Sequence, residues 1–276
     1  MREYVSGERD VLQPYPVDRI RDGANGALLV PWPNRLADGR YSWDGADHQV
    51  DITEPDTFTA IHGFLLWRPW SPVDHAASWV TVTAYLFPTP AYPFAIDVRV
   101  TYQLGDHGLE VTTTATNVGE RAAPYGVGQH PYLSPGRGLI DDCELHLGAS
   151  TRIVTDERLL PVRTEPVAGT DLDLRSPRRL GGLQIDHAFT DLERDEQGRA
   201  WAGLRGTDGA TARLWVDEQY PFIQLFTGDT LAPGRRRRGL GTEPMSMPPD
   251  ALGSGEGVIR LEPGAEHTAR WGARLD

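Results

Sequence analysis

Two short segments hold the side chains best suited to moving protons. Gly128-Gln129-His130-Pro131-Tyr132-Leu133 carries an imidazole, and Gly241-Thr242-Glu243-Pro244 carries a carboxylate. Each sits in a stretch stiffened by glycine and proline and reads as a loop. A histidine and a glutamate held this way are what general acid–base chemistry needs. The chain has eight histidines. None falls in a metal-protease helix pattern or a His-x-His pair, so a metal site is not expected. His48, His75, His107 and His267 fall in turns or polar strands and His146 in a strand; none is assigned a role. His62 differs, because Ile61-His62-Gly63-Phe64 places an imidazole beside a glycine that lets another group approach closely.

Further polar side chains sit where solvent alone does not explain them. Arg35, in Pro31-Trp32-Pro33-Asn34-Arg35, is a guanidinium among rigid neighbours. It suits multidentate recognition of hydroxyls or carboxylates, or bridges loops. Asp186 precedes His187-Ala188-Phe189 and either accepts hydrogen bonds from a ligand or caps a turn. Gln224 interrupts the apolar run Phe222-Ile223-Gln224-Leu225-Phe226 and must find a ligand or backbone partner. Arg235 to Arg238 form a run just before Glu243. Such a run is a solvated surface loop or an anion clamp.

The elements that must position these groups are strands. Asp97–Leu104 and Leu109–Thr116 alternate around Gly105-Asp106-His107-Gly108, which reads as a hairpin with a four-residue loop. Strand patterns also cover residues 78–87, 199–205, 210–216 and 222–227. Residues 257–261 and 267–275 flank Glu262-Pro263-Gly264-Ala265 as an expected final hairpin. With 30 glycines and 22 prolines, few windows can hold an uninterrupted helix. The expectation is an all-β sandwich or barrel, one domain over residues 1–276.

Composition narrows the chemistry. The net charge of −12 argues against a sequence-independent nucleic-acid binder. All 27 basic residues are arginine, which removes Schiff-base and P-loop lysine chemistry. Cys143 is the single cysteine, so no intramolecular disulfide forms. It reads as a small strand residue, and its acidic neighbours disfavour a thiolate. No apolar run approaches the roughly 18–20 residues of a membrane span, and no apolar leader opens the chain. The cytoplasm is the expected compartment, and a monomer or homodimer the expected state.

The order of these segments resembles the aldose 1-epimerase (sugar mutarotase) family. The matching stretches are Asn34-Arg35, His62-Gly63, Gly128 to Tyr132, Asp186 to Phe189, Ile223 to Gly228, and Glu243-Pro244 with Pro249-Asp250-Ala251. Leu261-Glu262-Pro263-Gly264-Ala265-Glu266 resembles the family's closing strand pair. The resemblance spans about residue 28 to the end. It implies a galactose-mutarotase-like β-supersandwich without a cofactor, with a small-molecule sugar as partner. It further implies His130 as the general acid at the ring oxygen and Glu243 as the base at the C1 hydroxyl. Arg35, His62, Asp186 and Gln224 would bind sugar hydroxyls, and Trp67 and Tyr132 would pack on the sugar's apolar face. Burial would raise the Glu243 pKa, and neighbouring carboxylates would favour a protonated His130.

Two departures from the family pattern shape the expectations. About 33 residues precede Asn34 and begin without an obvious strand, so the sandwich reads as trimmed at its N-terminus with a sheet edge left exposed. The segment Pro131-Tyr132-Leu133 stands where galactose-preferring members tend to have Tyr-Phe-Asn. The leading function is interconversion of the α and β anomers of a free hexose of the glucose or galactose type. The alternatives are a hexose-6-phosphate 1-epimerase using Arg235 to Arg238, and a non-catalytic sugar-binding protein on the same fold. A glycoside hydrolase, with Asp186 and Glu243 as its two carboxylates, stands behind these.

Overall fold

A computed structural model describes residues 1–276. Two antiparallel sheets, of nine and ten strands, dominate it. The nine-stranded sheet runs Arg178–Arg179, Glu144–Leu147, Ala200–Arg205, Thr211–Val216, Glu266–Leu275, Gly108–Asn117, Ile96–Gly105, Trp79–Leu86 and Ser71–His75. The other sheet takes the order Tyr4–Ser6, Arg9–Leu12, Tyr132–Leu133, Leu240–Met245, Phe222–Phe226, Asp186–Leu192, Ala149–Thr155 and Pro161–Pro166. Off this path, Gly128–Gln129 pairs both Leu240–Met245 and Leu28–Leu29. Helix is confined to the turn Ala251–Ser254 and the 3-10 segment Ile140–Asp142.

The core follows from period-two patterning. In Gly108–Asn117, Leu109, Val111, Thr113 and Ala115 all face inward. The core continues through Ile96, Val98 and Val100 on one neighbour and Ala269, Trp271 and Ala273 on the other. A polar link joins the sheets inside this core: the Gln129 amide donates to the Thr113 hydroxyl at 3.0 Å. Gln129 lies one residue before His130, so the link ties the catalytic candidate's segment to the opposite sheet.

Several sequence expectations change in detail. The central hairpin forms, but its pairing continues to Gly105 and Gly108, leaving only Asp106-His107 as the turn. Gly108 takes φ +101°, which closes so short a connection. The expected C-terminal hairpin does not form. Ile259–Leu261 pairs with Ala123–Tyr125 instead, while Glu266–Leu275 joins the nine-stranded sheet. The intervening turn redirects the chain between sheets, a choice that local pattern does not encode. Cys143 follows the 3-10 segment rather than lying in a strand, and burial pushes its thiol up to about 11. The first 33 residues do contain strands: Tyr4–Ser6 and Arg9–Leu12 form a hairpin that extends the ten-stranded sheet past Tyr132–Leu133. Their brevity hid them, since three or four residues give almost no alternation to read.

The segment before the site is held by one close backbone approach. The Phe64 and Leu65 amides both donate to the Val30 carbonyl, at 2.7 and 3.2 Å. Gly63 permits this with φ +67°, and a Cβ there would lie 2.2 Å from the Val30 oxygen. Gly63→Ala should therefore cost about 2–4 kcal/mol, from the left-handed conformation plus the clash. Urea unfolding measures this; a loss under about 0.5 kcal/mol would mean that the contact is not needed.

Candidate active site

Glu243 lies mid-strand in Leu240–Met245, not in the loop expected from its proline. Every residue of that strand is buried. Its neighbours supply the rest of the site. Gln224 stands directly opposite on Phe222–Phe226, and Asp186 opens the next strand out. On the other side, Tyr132–Leu133 pairs at Gly241 and Leu240. His130 sits between two two-residue strands, where its amide donates to Ala27 and its carbonyl accepts from Gly26. The backbone thus clamps the imidazole from both directions.

The result is a buried pair. His130 Nε2 lies 3.2 Å from Glu243 Oε1, with both side chains almost fully enclosed. His62 approaches edge-on, its ring centre 5.3 Å from that of His130. His62 is itself fixed by a reciprocal contact: the Asn34 amide donates to His62 Nδ1, and the His62 amide donates to the Asn34 carbonyl. Both residues take left-handed φ, 57° and 66°, which closes this small ring of contacts. Nδ1 accepts, so the neutral His62 ring carries its proton on Nε2.

That tautomer decides what the cluster can hold. His62, His130 and Glu243 offer ligand atoms within 4.8 Å of one another, a spacing that a metal could use. Ligation needs a free lone pair on His62 Nε2, yet that nitrogen holds the ring's proton. The group is instead a hydrogen-bond donor. Donors and acceptors without partners complete the site: His130 Nδ1, Glu243 Oε2 and Gln224 Oε1 are all buried and unpartnered. Buried polar atoms seldom stay unsatisfied, so these are positions where water or a ligand's polar groups bind.

A cavity of about 300 Å³ opens onto these groups. Arg35, His62, His130, Asp186, Gln224 and Glu243 all line it. Two larger depressions, of about 680 and 660 Å³, lie elsewhere, and neither gathers a buried histidine or carboxylate. Gln224 donates to Asp186 Oδ1 at 2.6 Å, which orients the amide. Arg35 is held by Glu54 in a two-point ion pair, Nε to Oε2 at 2.8 Å and Nη2 to Oε1 at 3.0 Å.

Two sequence candidates stand outside the cavity. Trp67 is 63% exposed and lies under the Arg21 guanidinium at 4.9 Å; its neighbour Leu66 lines the cavity instead. Tyr132 is buried behind His130, stacked on it at 5.0 Å, with its hydroxyl donating to the Gly23 carbonyl. It braces the imidazole and meets no ligand face. None of Arg235 to Arg238 lines the cavity either. Arg237 spends its donors on Asp141, Asp229 and the carbonyls of Gly181 and Leu183. The other three donate to carbonyls of Pro14, Leu231 and Gly234. The run is a loop staple, not an anion clamp. Sequence reading missed Glu54, although Glu54-Pro55 repeats the Glu-Pro pair that singled out Glu243.

Burial sets the charges. It pushes the His130 imidazole down to about 3, with Arg21 adding to the effect. Neighbouring carboxylates therefore do not hold His130 protonated, contrary to expectation. Burial raises the Glu243 carboxyl well above its usual range, and Asp186 adds to this while Arg35 opposes it. His62 is likewise driven well below its ordinary value by burial. Both directions favour a neutral pair in which one proton lies between Nε2 and Oε1.

This has a consequence for stability. The unfolded chain takes up a proton at histidine near about pH 6.5, which native His130 refuses until about pH 3. Stability is therefore lost as pH falls through that window. Glu243, with its native value raised, acts in the opposite sense: its contribution is present at low pH and lost as pH rises. In a Glu243→Gln background, adding His130→Asn should flatten the pH dependence of unfolding between pH 6 and 4. The change should approach one proton, about 1.4 kcal/mol per pH unit. Urea titrations across that range check it; an unchanged slope would mean that native His130 protonates like an exposed histidine.

Comparison with known proteins agrees with this geometry. The family model described as aldose 1-epimerase matches residues 4–273. The uncharacterized protein YihR of Escherichia coli (strain K12) is 37% identical over 243 residues, covering 88% of this chain and 76% of its own. Galactose mutarotase of Homo sapiens is 30% identical over 221 residues, covering 75% of this chain and 63% of its own length. The chain thus spans under two thirds of that relative. Among solved structures, a galactose 1-epimerase from Lactobacillus acidophilus superposes with a TM-score of 0.82 at 17% identity, covering all of this chain and 88% of its own. An aldose epimerase homologue from C. elegans gives 0.85 at 18%, covering 97% and 88%. The fold is the galactose-mutarotase-like sandwich, and the chain belongs to the aldose 1-epimerase family.

Proposed function

We propose that this protein interconverts the α and β anomers of a free hexose of the glucose or galactose type. The observation that carries the reading is the buried His130–Glu243 contact at 3.2 Å, facing a cavity lined by Arg35, His62, Asp186 and Gln224. The cavity's roughly 300 Å³ lies at the small end of ligand sites, in keeping with a monosaccharide.

Opening the ring removes the proton from O1 and delivers one to O5, so that the C1–O5 bond breaks and C1 becomes an aldehyde. Glu243 takes the O1 proton and His130 supplies the O5 proton. After rotation about C1–C2, O5 adds to the other face of C1. The same two groups then exchange their roles, and each ends as it began. The sugar enters between Nε2 and Oε1, which now touch, and the proton they share passes to His130 Nε2, leaving Glu243 ionised. Its hydroxyls donate to Glu243 Oε2 and Gln224 Oε1, the unpartnered acceptors. Those contacts stabilise the carboxylate as the base it must become.

The phosphorylated-sugar reading loses its motive, because Arg235 to Arg238 are spent on their own loop and on Asp141 and Asp229. A binding protein without activity remains an outcome of experiment. Polarimetry on α-D-glucose and α-D-galactose should show acceleration by wild type. Glu243→Gln and His130→Asn should each lower kcat by at least about 10²-fold, the scale of a lost acid or base. Arg35→Ala should raise KM and lower kcat together. Wild-type rates in a folded Glu243→Gln protein would sink the assignment, and acceleration confined to glucose 6-phosphate would revive the phosphate reading.

A further inference from the structure

Glu54 lines the cavity but has no place in the proton transfers above. Its surroundings are built with care. Glu54 and Thr59 exchange backbone hydrogen bonds at 3.0 and 3.2 Å, closing a short loop. The Thr59 hydroxyl donates to Glu54 Oε2 at 2.9 Å. Thr59–Ile61 then pairs with Arg35–Ala37, so the guanidinium rides on a small two-stranded sheet to which Glu54 is tied through Thr59. The two-point contact leaves Arg35 Nη1 without a hydrogen bond, while the guanidinium plane is fixed by the fork.

The charge count makes this pairing matter. Arg35 is the one arginine lining the cavity, against the carboxylates of Glu54, Asp186 and Glu243. We propose that Glu54 is a positioning residue of this site, which aims Arg35 and offsets part of the positive charge that Arg35 exerts on Glu243 and Asp186. The proposal rests on the epimerase reading for its consequence in catalysis, and on geometry alone for its electrostatics.

The groups that face Glu243 are His130 at 3.2 Å, His62 across the cluster, Tyr132 behind His130, Asp186 on the next strand but one, and Arg35. Arg21 disfavours a charged His130. Within this set Arg35 lowers the Glu243 and Asp186 carboxyls, and Glu54 raises Asp186. Removing the Glu54 charge leaves Arg35 uncompensated and stabilises the Glu243 carboxylate. A base that ionises more readily works at lower pH, but it is a weaker base. An Arg35 freed from its fork also loses its fixed plane, which weakens sugar binding.

The test compares wild type with Glu54→Gln and Glu54→Asp in the intact chain, with thermal unfolding to verify that each is folded. Carbon-13 NMR of the Glu243 carboxyl reads the electrostatic part without any activity. Glu54→Gln should lower the Glu243 titration midpoint by about half a pH unit or more, the shift expected of one charge released at the cavity wall. Glu54→Asp, which keeps the charge, should stay within about 0.2 units of wild type. In polarimetric assays the acid limb of kcat/KM should move the same way in Glu54→Gln, with KM raised about tenfold and kcat lowered less. An unchanged Glu243 midpoint in Glu54→Gln would overturn the proposal, as would equal shifts in both variants, which would point to packing alone. If the midpoint shifts while wild type accelerates no sugar, the Glu54 assignment stands and the epimerase reading fails.

Discussion

A carboxylate in the middle of a buried strand is the constraint on which this site depends. Glu243 has almost no exposure, and its strand has no solvent-facing residue. Burying such a charge without compensation is costly enough that the group holds its proton instead. The adjacent His130 is subject to the same cost with the opposite sign, since burial strips it of its proton. Two groups that each refuse a charge become a pair that shares one proton. That is a useful resting state for chemistry that moves protons in both directions and ends where it started.

The surrounding fold exists to keep this pair in place. The backbone around His130 is fixed by Ala27 and Gly26 on one side and by the strand carrying Glu243 on the other. Tyr132 stacks behind the imidazole, and the Gln129 amide ties the same segment to Thr113 of the opposite sheet. His62 is oriented by Asn34 through paired backbone contacts. Backbone contacts and buried, packed side chains share the fixing, which keeps reacting atoms within tight tolerances. The arginine content is absorbed in a similar way: Arg237 is a staple between loops, and Arg35 is held by Glu54.

The strands that run through the core, such as Ile96–Gly105 and Gly108–Asn117, were legible because long alternation leaves few alternatives. The short strand Tyr4–Ser6 carried no such signal because it spans only three residues, and Gly128–Gln129 and Tyr132–Leu133 carried none because they are recruited by neighbours that lie far away in sequence. The placement of Ile259–Leu261 against Ala123–Tyr125 is the same kind of event. The family resemblance places Trp67 and Tyr132 against the sugar, but resemblance and aromatic character do not say which face of a loop a ring will take. One is exposed under Arg21 and the other serves as a brace.

The sequence by itself determined the all-β class and the family, and it singled out the titratable residues that stand out from their surroundings. It could do so because residue type and order are preserved in the chain itself. Tertiary structure alone decided that Glu243 is mid-strand and desolvated, that His130 loses rather than keeps its proton, that Arg35 comes already paired with Glu54, and that Arg235 to Arg238 look away from the cavity. Those outcomes are set by burial and by contacts between segments as distant as Arg237 and Asp141. Desolvation and Coulomb interaction depend on distances in space, and separations along the chain do not report them.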